Sequence, residues 1–281
     1  MENKPTYKVL TIAGSDPSGG AGIQADIKAI TALGGYAASA ITALTIQNTL
    51  GVTGIFAVPS SVVSEQIAAV MEDIAPPSIK IGMVKDATIV CHIAEAIKKY
   101  QPAFIVYDPV MVSTSGHQLI DDDVIETIEK ELISQVSLIT PNMHEAEVLL
   151  GRKIGSIAEM EAAAKELASR YRIHVLIKGG HLEGNGMFDM LASPNGMVRQ
   201  FTESKIETRN LHGTGCTLSS AIATLVAQKL IEGNQILTDV MLVSCIGQAK
   251  KYVTSAILEG SKRNIGKGNG PLWHQTNSKK C

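Results

Sequence analysis

From Pro76-Pro77 onward the chain alternates short apolar runs with segments of helical periodicity, and this alternation limits the fold more than any other feature. Residues 79–83, 103–108, 136–140 and 175–178 read as buried strands, and 86–100, 121–132, 142–150 and 156–172 as the helices between them. Ser156 and Glu159 predict a capping box for the last of these. Upstream, residues 8–14, 36–46 and 52–58 read as strands. A helix after Gly22 carries Ile23, Ile27, Ile30 and Leu33 on one face, and another over 60–74 has Ser60 or Ser61 as its cap. Two runs, 187–192 and 197–201, flank Ser193-Pro194-Asn195-Gly196 and predict a hairpin. Helices are expected from Gly213 and over 238–258, and an irregular tail over 262–281. Strands alternating with helices predict a mostly parallel central sheet covered on both faces, an α/β architecture. No repeat or linker divides the chain, so residues 1–281 are expected to form one domain.

Such sheets bind ligands at the carboxyl ends of their strands. The polar clusters fall there: Gly14-Ser15-Asp16, Gln47-Asn48, Asp108-Pro109, Pro141-Asn142, Lys178-Gly179-Gly180 and Gly213-Thr214-Gly215-Cys216. The last joins an extended run, 204–208, to a small-residue helix. Two glycines flank a threonine where a helix starts, with N–H groups free and the dipole positive, which makes an anion hole. A cysteine placed there is expected to have a lowered pKa and thiolate character. A potential base beside an anion hole suits phosphoryl transfer.

Asn142 and Glu145 lie three residues apart just past a strand end. Glu145 suits magnesium, which takes one or two carboxylates, waters and substrate phosphates, or it is a solvated acid of the first turn. Asn142 serves equally as a helix cap. Asp108 ends an apolar strand, either as a turn former before Pro109 or as part of a metal–phosphate network. Lys178 ends a buried strand, where a phosphate partner or snorkelling to water would account for it.

Other chemistries are disfavoured. Gly20-Ala21-Gly22-Ile23-Gln24-Ala25 matches a dinucleotide fingerprint formally, but no acid follows about twenty residues later to hold a ribose, which counts against a nicotinamide-dependent oxidoreductase. No Walker-type loop or protein-kinase set is present. A net charge of −2 and 4% aromatic residues argue against nucleic acid. Cys91, Cys216, Cys245 and Cys281 have no metal-like spacing, and scattered cysteines suggest a reducing compartment. With no signal-peptide core or membrane-spanning run, a cytoplasmic protein with no membrane partner is expected.

Seven segments resemble the hydroxymethylpyrimidine/phosphomethylpyrimidine kinase family of the ribokinase superfamily. They are Gly14–Asp26, Ala43–Thr49, Lys80–Met83, Asp108-Pro-Val-Met-Val, Pro141–Ala146, Ile177–His181 and His212–Thr217, in order over roughly residues 8–260. The resemblance implies a ribokinase-like fold with a small hairpin or lid, the hairpin flanking the nucleotide. It implies ATP with Mg2+, and two successive phosphorylations of 4-amino-5-hydroxymethyl-2-methylpyrimidine for thiamine biosynthesis. A homodimer is implied too. Gly14, Ala21, Gln47, Met83 and Val110 would line the pyrimidine pocket, with Asp26 either a pocket-side aspartate or a surface helix residue. Asp108 and Glu145 would serve the metal–phosphate region. Lys178, with Asn142 and Thr214, would serve ATP, Gly213 and Gly215 would form the anion hole, and Cys216 would occupy the position of the catalytic base. Most of the superfamily has aspartate at that last position. Related pyridoxal kinases can carry a cysteine in the lid loop, where 112–117 has none. The rival functions are therefore a pyridoxine/pyridoxal kinase and a non-catalytic nucleotide- or vitamin-precursor-binding protein.

Overall fold

The computed structural model describes residues 5–111, 120–179, 186–233 and 236–276. The lid loop 112–117, Gly180, His181 and Cys281 lie outside the described residues. Among the described residues nine strands form one sheet: β1 (Tyr7–Ser15), β2 (Gly35–Asn48), β3 (Gly51–Ala57), β4 (Ser78–Ile81), β5 (Phe104–Tyr107), β6 (Leu138–Ile139), β7 (His174–Lys178), β8 (Gly186–Ala192) and β9 (Val198–Ser204). Their order is β3-β2-β1-β4-β5-β6-β7-β8-β9. From β2 to β7 every neighbour is parallel. β3 closes one side antiparallel, and the β8–β9 hairpin extends the other.

Among the described residues eight α-helices cover the sheet: α1 (Gly22–Ala32), α2 (Ser60–Asp73), α3 (Ala87–Tyr100), α4 (Asp122–Thr127), α5 (Met143–Leu150), α6 (Ile157–Tyr171), α7 (Thr214–Ile231) and α8 (Asp239–Ser261). Alternate strand residues point to opposite faces, so one apolar strand feeds two cores. Leu10, Ile105, Tyr107, Val175 and Ile177 pack with α2, α3 and α6, through residues such as Ile67, Ile93 and Leu167. Val9, Phe104, Val106 and Leu176 pack with α1, α7 and α8, through Ile30, Ile222 and Ile246. Helix α7 is buried on every side from Thr217 to Ala227, which its Ser, Ala and Thr content permits. Its hydroxyls are satisfied within the helix or by neighbours, as where Thr224 donates to Ser220 O and Ser219 to Gly215 O.

Several sequence expectations are corrected. Of the extended run 204–208 only Ser204 joins the sheet, because β9 stops there, opposite Gly186 where β8 begins. Helix 121–132 is α only to Thr127. A π turn (Ile128–Leu132) and a 3-10 turn (Ile133–Gln135) follow, and the change of winding buries the adjacent Leu132 and Ile133 together. Neither Ser60 nor Ser61 caps α2, since Pro59 holds the N-cap position and Ser60 is already helical. Ser156 accepts from Glu159 N–H, but the Glu159 carboxylate goes to Gly155 N–H instead of closing a box. Ile27 is exposed, and Asp26 takes the inward position on α1. To Thr276, where its described residues end, the tail forms no helix or strand, yet over 268–274 it is tied down. Thr49 O accepts from Asn269 N–H, Gly270 O from His212 N–H, and Ala256 O from Trp273 N–H. Leu272 and His274 are buried.

Candidate active site

A cavity of about 570 Å³ opens at the carboxyl ends of the parallel strands. One side is framed by the loop after β1 and by β2, which runs past the end of β1 to carry Gln47, still paired with β3. The other is framed by the ends of β5, β6 and β7, and α7 aims its N-terminus between them. Gly14, Ala21, Gln47, Met83 and Val110 line the first side. Asp108, Asn142, Glu145 and Lys178 line the second, and Gly213, Thr214, Gly215 and Cys216 close the floor. Asp26 is the exception among the expected residues. It is fully buried beneath the site and absent from the wall.

The turn into α7 needs its glycine. Gly213 has φ 87°, and a side chain there would meet Gly20 O at 1.8 Å. Thr214 N–H donates to Leu211 O and Thr217 N–H to Gly213 O, leaving Gly215 and Cys216 as the helix's unmatched backbone donors. A β-carbon on Gly215 would stand 3.2 Å from Asp108 Oδ2 and 3.3 Å from Lys178 Nζ, so the helix start faces that ion pair directly.

Lys178 Nζ is 2.6 Å from Asp108 Oδ1, which also accepts from the Thr140 hydroxyl. Burial works against the Asp108 charge, but Lys178 and then Lys80 overcome it and hold its carboxyl below the usual range. Lys178 is in turn held protonated, the charges of Asp108 and Glu145 outweighing its own burial. Glu145 behaves oppositely. Burial, with Asp108 adding repulsion, pushes it up to about 7 against the pull of Lys178. Asn142 and Glu145 are partners rather than two independent ligands. Asn142 Oδ1 accepts from Glu145 N–H at 2.9 Å, and Glu145 Oε2 accepts from Asn142 N–H at 2.7 Å, which is a reciprocal capping box of α5.

Cys216 contradicts the expectation of a lowered pKa. Burial pushes the thiol up to about 11. Lys80 pulls it down, while Asp26 and Asp108 oppose. The helix N-terminus does not outweigh removal from water.

Beneath the floor lies a buried pair that sequence reading did not single out. Lys80 Nζ reaches both oxygens of Asp26, at 2.9 and 2.8 Å, with neither side chain exposed. Thr11 and Ser220 hydroxyls complete the carboxylate, tying β1, α1, β4 and α7 together. A lysine in the middle of the apolar run Ser78-Ile79-Lys80-Ile81 is the signal that could have found it. Asp16 and His212 were also missed as site residues. Asp16 accepts from Ser18, Gly20 and Ala21 N–H groups and from His212 Nε2, at 2.8 Å for the last. Those donors hold its carboxyl down at about 2 despite burial. Asn269, from the tail, lines the cavity as well.

No group of three or more His, Cys, Asp or Glu is gathered for a metal among the described residues. A divalent cation beside Asp108 and Glu145 therefore has to complete its shell with water and phosphate oxygens, which is how magnesium is held in phosphoryl-transfer sites. The pair fits that requirement, and a cation beside the buried Glu145 would favour its charged form, which burial disfavours.

A helix start opposed to a Lys–Asp pair, at the carboxyl edge of a mostly parallel sheet, defines a kinase of ribokinase-like fold. The family model of phosphomethylpyrimidine kinase matches residues 16–273, and the chain belongs to that family. A hydroxymethylpyrimidine/phosphomethylpyrimidine kinase of Rhizobium meliloti (strain 1021) is 42% identical over 270 residues, covering 96% of this chain and 97% of the relative. A crystal structure of phosphomethylpyrimidine kinase from Clostridium difficile 630 has a TM-score of 0.76 at 40% identity, covering 90% of this chain and 100% of the other. An ADP complex of Bacillus subtilis pyridoxal kinase gives a TM-score of 0.85 at 29% identity, covering 97% and 98%. Among the described residues no helix is long and apolar enough to cross a membrane.

Proposed function

We infer that this chain transfers phosphate from ATP to the hydroxymethyl group of 4-amino-5-hydroxymethyl-2-methylpyrimidine, and then to the resulting monophosphate. The observation that carries this reading is the cavity. One wall offers an amide at Gln47 among Gly14, Ala21, Met83 and Val110, a flat slot for an aminopyrimidine. The opposite wall offers Lys178, Asp108, Glu145 and the α7 start, an electrostatic cradle for phosphates.

In this reading Lys178 leaves Asp108 for the transferring phosphate, and the Gly215 and Cys216 N–H groups receive its developing charge. Asp108 and Glu145 hold Mg2+ directly or through water. Bound with ATP, the ion neutralises phosphate charge. Thr214 and Asn142 frame the nucleotide side, and the β8–β9 hairpin flanks it. Cys216 sits where the hydroxymethyl oxygen must approach. A neutral thiol suits a loose transition state, in which positioning outweighs proton removal. A homodimer in the cytoplasm completes the proposal. The exposed Ile46, Leu50 and Phe56 of β2–β3 offer an apolar face for a second copy, which sedimentation would test.

The experiment is a side-by-side assay of ADP release with ATP-magnesium and three acceptors: the pyrimidine alcohol, its monophosphate and pyridoxal. Turnover of both pyrimidines is expected, at higher kcat/KM than pyridoxal. Preference for pyridoxal would replace this reading with the pyridoxal kinase one, and no turnover of any acceptor would leave a binding protein.

A further inference from the structure

Gln47 carries an amide whose two ends, one donor and one acceptor, have nearly the same shape. One end, drawn as Oε1, stands 3.1 Å from Thr45 Oγ1, and the other, drawn as Nε2, 3.2 Å from His212 Nε2, an assignment of the two like-shaped ends that the surrounding hydrogen bonds reverse. Which end faces which neighbour is decided by Asp16. Asp16 Oδ2 lies 2.8 Å from His212 Nε2, and the same oxygen receives the Ser18 hydroxyl and the Gly20 and Ala21 N–H groups. An oxygen surrounded by donors acts only as acceptor, so His212 Nε2 carries the ring proton. A protonated Nε2 cannot accept from an amide NH2. The amide oxygen, taking a share of the one Nε2 proton whose main acceptor is Asp16, therefore faces His212, and the NH2 faces Thr45. Thr45 is free to accept there, because its own proton goes to Ser15 O at 2.9 Å. The imidazole is closely packed. His212 N–H is bound to Gly270 O, and its ring packs so closely on Gly20 that a β-carbon there would meet Cδ2 at 2.3 Å.

We propose that Asp16 and His212 lock the amide of Gln47 in one orientation, and thereby set which order of hydrogen-bonding groups the pocket accepts. This rests on the pyrimidine reading above. The ligand edge must place an exocyclic amino donor toward the His212 side and a ring-nitrogen acceptor toward Thr45. In a 4-amino-5-hydroxymethylpyrimidine the amino-bearing carbon lies between that ring nitrogen and the carbon carrying the hydroxymethyl group. Seating the amino group toward His212 puts the hydroxymethyl group on that same side, where Gly213 and Cys216 also line the cavity. A reversed amide would seat the ring the other way and turn the acceptor oxygen away from the anion hole. His212 is thus a positioning residue acting through Gln47.

The test compares the aminopyrimidine with its 4-oxo counterpart, whose lactam edge presents a ring N–H donor and a carbonyl acceptor, the reversed order. The wild type should favour the amino compound in kcat/KM. His212→Phe frees the amide to rotate, so this preference should fall at least about tenfold, mainly through KM for the pyrimidine, while KM for ATP stays within about twofold. His212→Gln, whose NH2 can still donate to the Gln47 oxygen, should restore part of the preference. In Gln47→Ala the preference should be lost, and adding His212→Phe should change it no further. Equal weakening toward both compounds in His212→Phe would overturn the proposal. A measurement needing no variant is nitrogen NMR of His212 in the wild-type protein. A protonated Nε2 at neutral pH is expected, and an unprotonated Nε2 would also overturn it. A wild type inactive toward the amino compound would instead count against the pyrimidine reading, with the NMR result still judging the Asp16–His212 lock.

Discussion

Cys216 sits at the start of α7, where a dipole and two unmatched N–H groups favour a thiolate, yet burial and the nearby carboxylates push it up to about 11. At pH 7 the thiol is therefore protonated. Alkylation of Cys216 should be slow at pH 7 and should accelerate steadily up to pH 10. Mass-spectrometric labelling rates across that range check this, and a rate already at its plateau by pH 7 would contradict the burial argument. Glu145 makes the opposite case, an acid that is half protonated near neutrality because burial and Asp108 raise it to about 7. Its magnesium affinity, read from activity titrations, should rise between pH 6 and pH 8 as the proton leaves. Glu145→Gln should bind magnesium more weakly and lose that part of the pH dependence, so matching slopes in the two proteins would remove Glu145 from the metal site. The sign for stability follows from the same shift. The folded state keeps the proton up to about 7 and the unfolded state loses it near 4.5, so Glu145's contribution to stability falls as pH rises through that window.

At the scale of elements, the Lys80–Asp26 pair joins β4 to α1, with Thr11 and Ser220 recruiting β1 and α7. Removing one partner of a buried pair leaves an uncompensated charge. Lys80→Met should cost about 3–5 kcal/mol, and Lys80→Met with Asp26→Leu should regain much of it. Urea unfolding of the three proteins measures both quantities, and a single variant as stable as wild type would show that the pair does not hold these elements together. The same pair shows what was legible beforehand. The strand–helix alternation and the polar strand ends placed Gln47, Asp108, Glu145, Lys178 and the α7 loop around one cavity, because parallel topology brings every strand's carboxyl end to one edge. The inward turn of Asp26 was hidden, since it depends on a lysine 54 residues away. His212 and Asp16, separated by 196 residues, were hidden for the same reason. The tail was unreadable because it is held by backbone bonds to Thr49, His212 and Ala256, which impose no periodicity on its side chains.

At the scale of the whole molecule, the described features proposed to bind phosphate converge on one cavity. Lys178, the Asp108–Glu145 pair and the α7 start all line it. If both phosphorylations occur in this chain, they must share that cavity, and the acceptor must change from a hydroxymethyl oxygen to a phosphate oxygen. A phosphate is already ionised at neutral pH and needs no base. A hydroxymethyl group gains from one, but a thiol pushed up to about 11 is a poor base in its resting state. Cys216→Ala should therefore slow the first transfer more than the second, by less than the factor of about 10²–10⁴ usual for general-base catalysis. Gly213→Pro should impair both, because the ring removes an N–H and the backbone there adopts φ 87°, which proline cannot reach. Single-turnover measurements with the alcohol and the monophosphate separate these cases. Equal slowing by Cys216→Ala would mean that the thiol does not take the hydroxymethyl proton. A folded Gly213→Pro protein that loses one transfer and keeps the other would require a second phosphate cradle, and the shared-cavity account would be wrong.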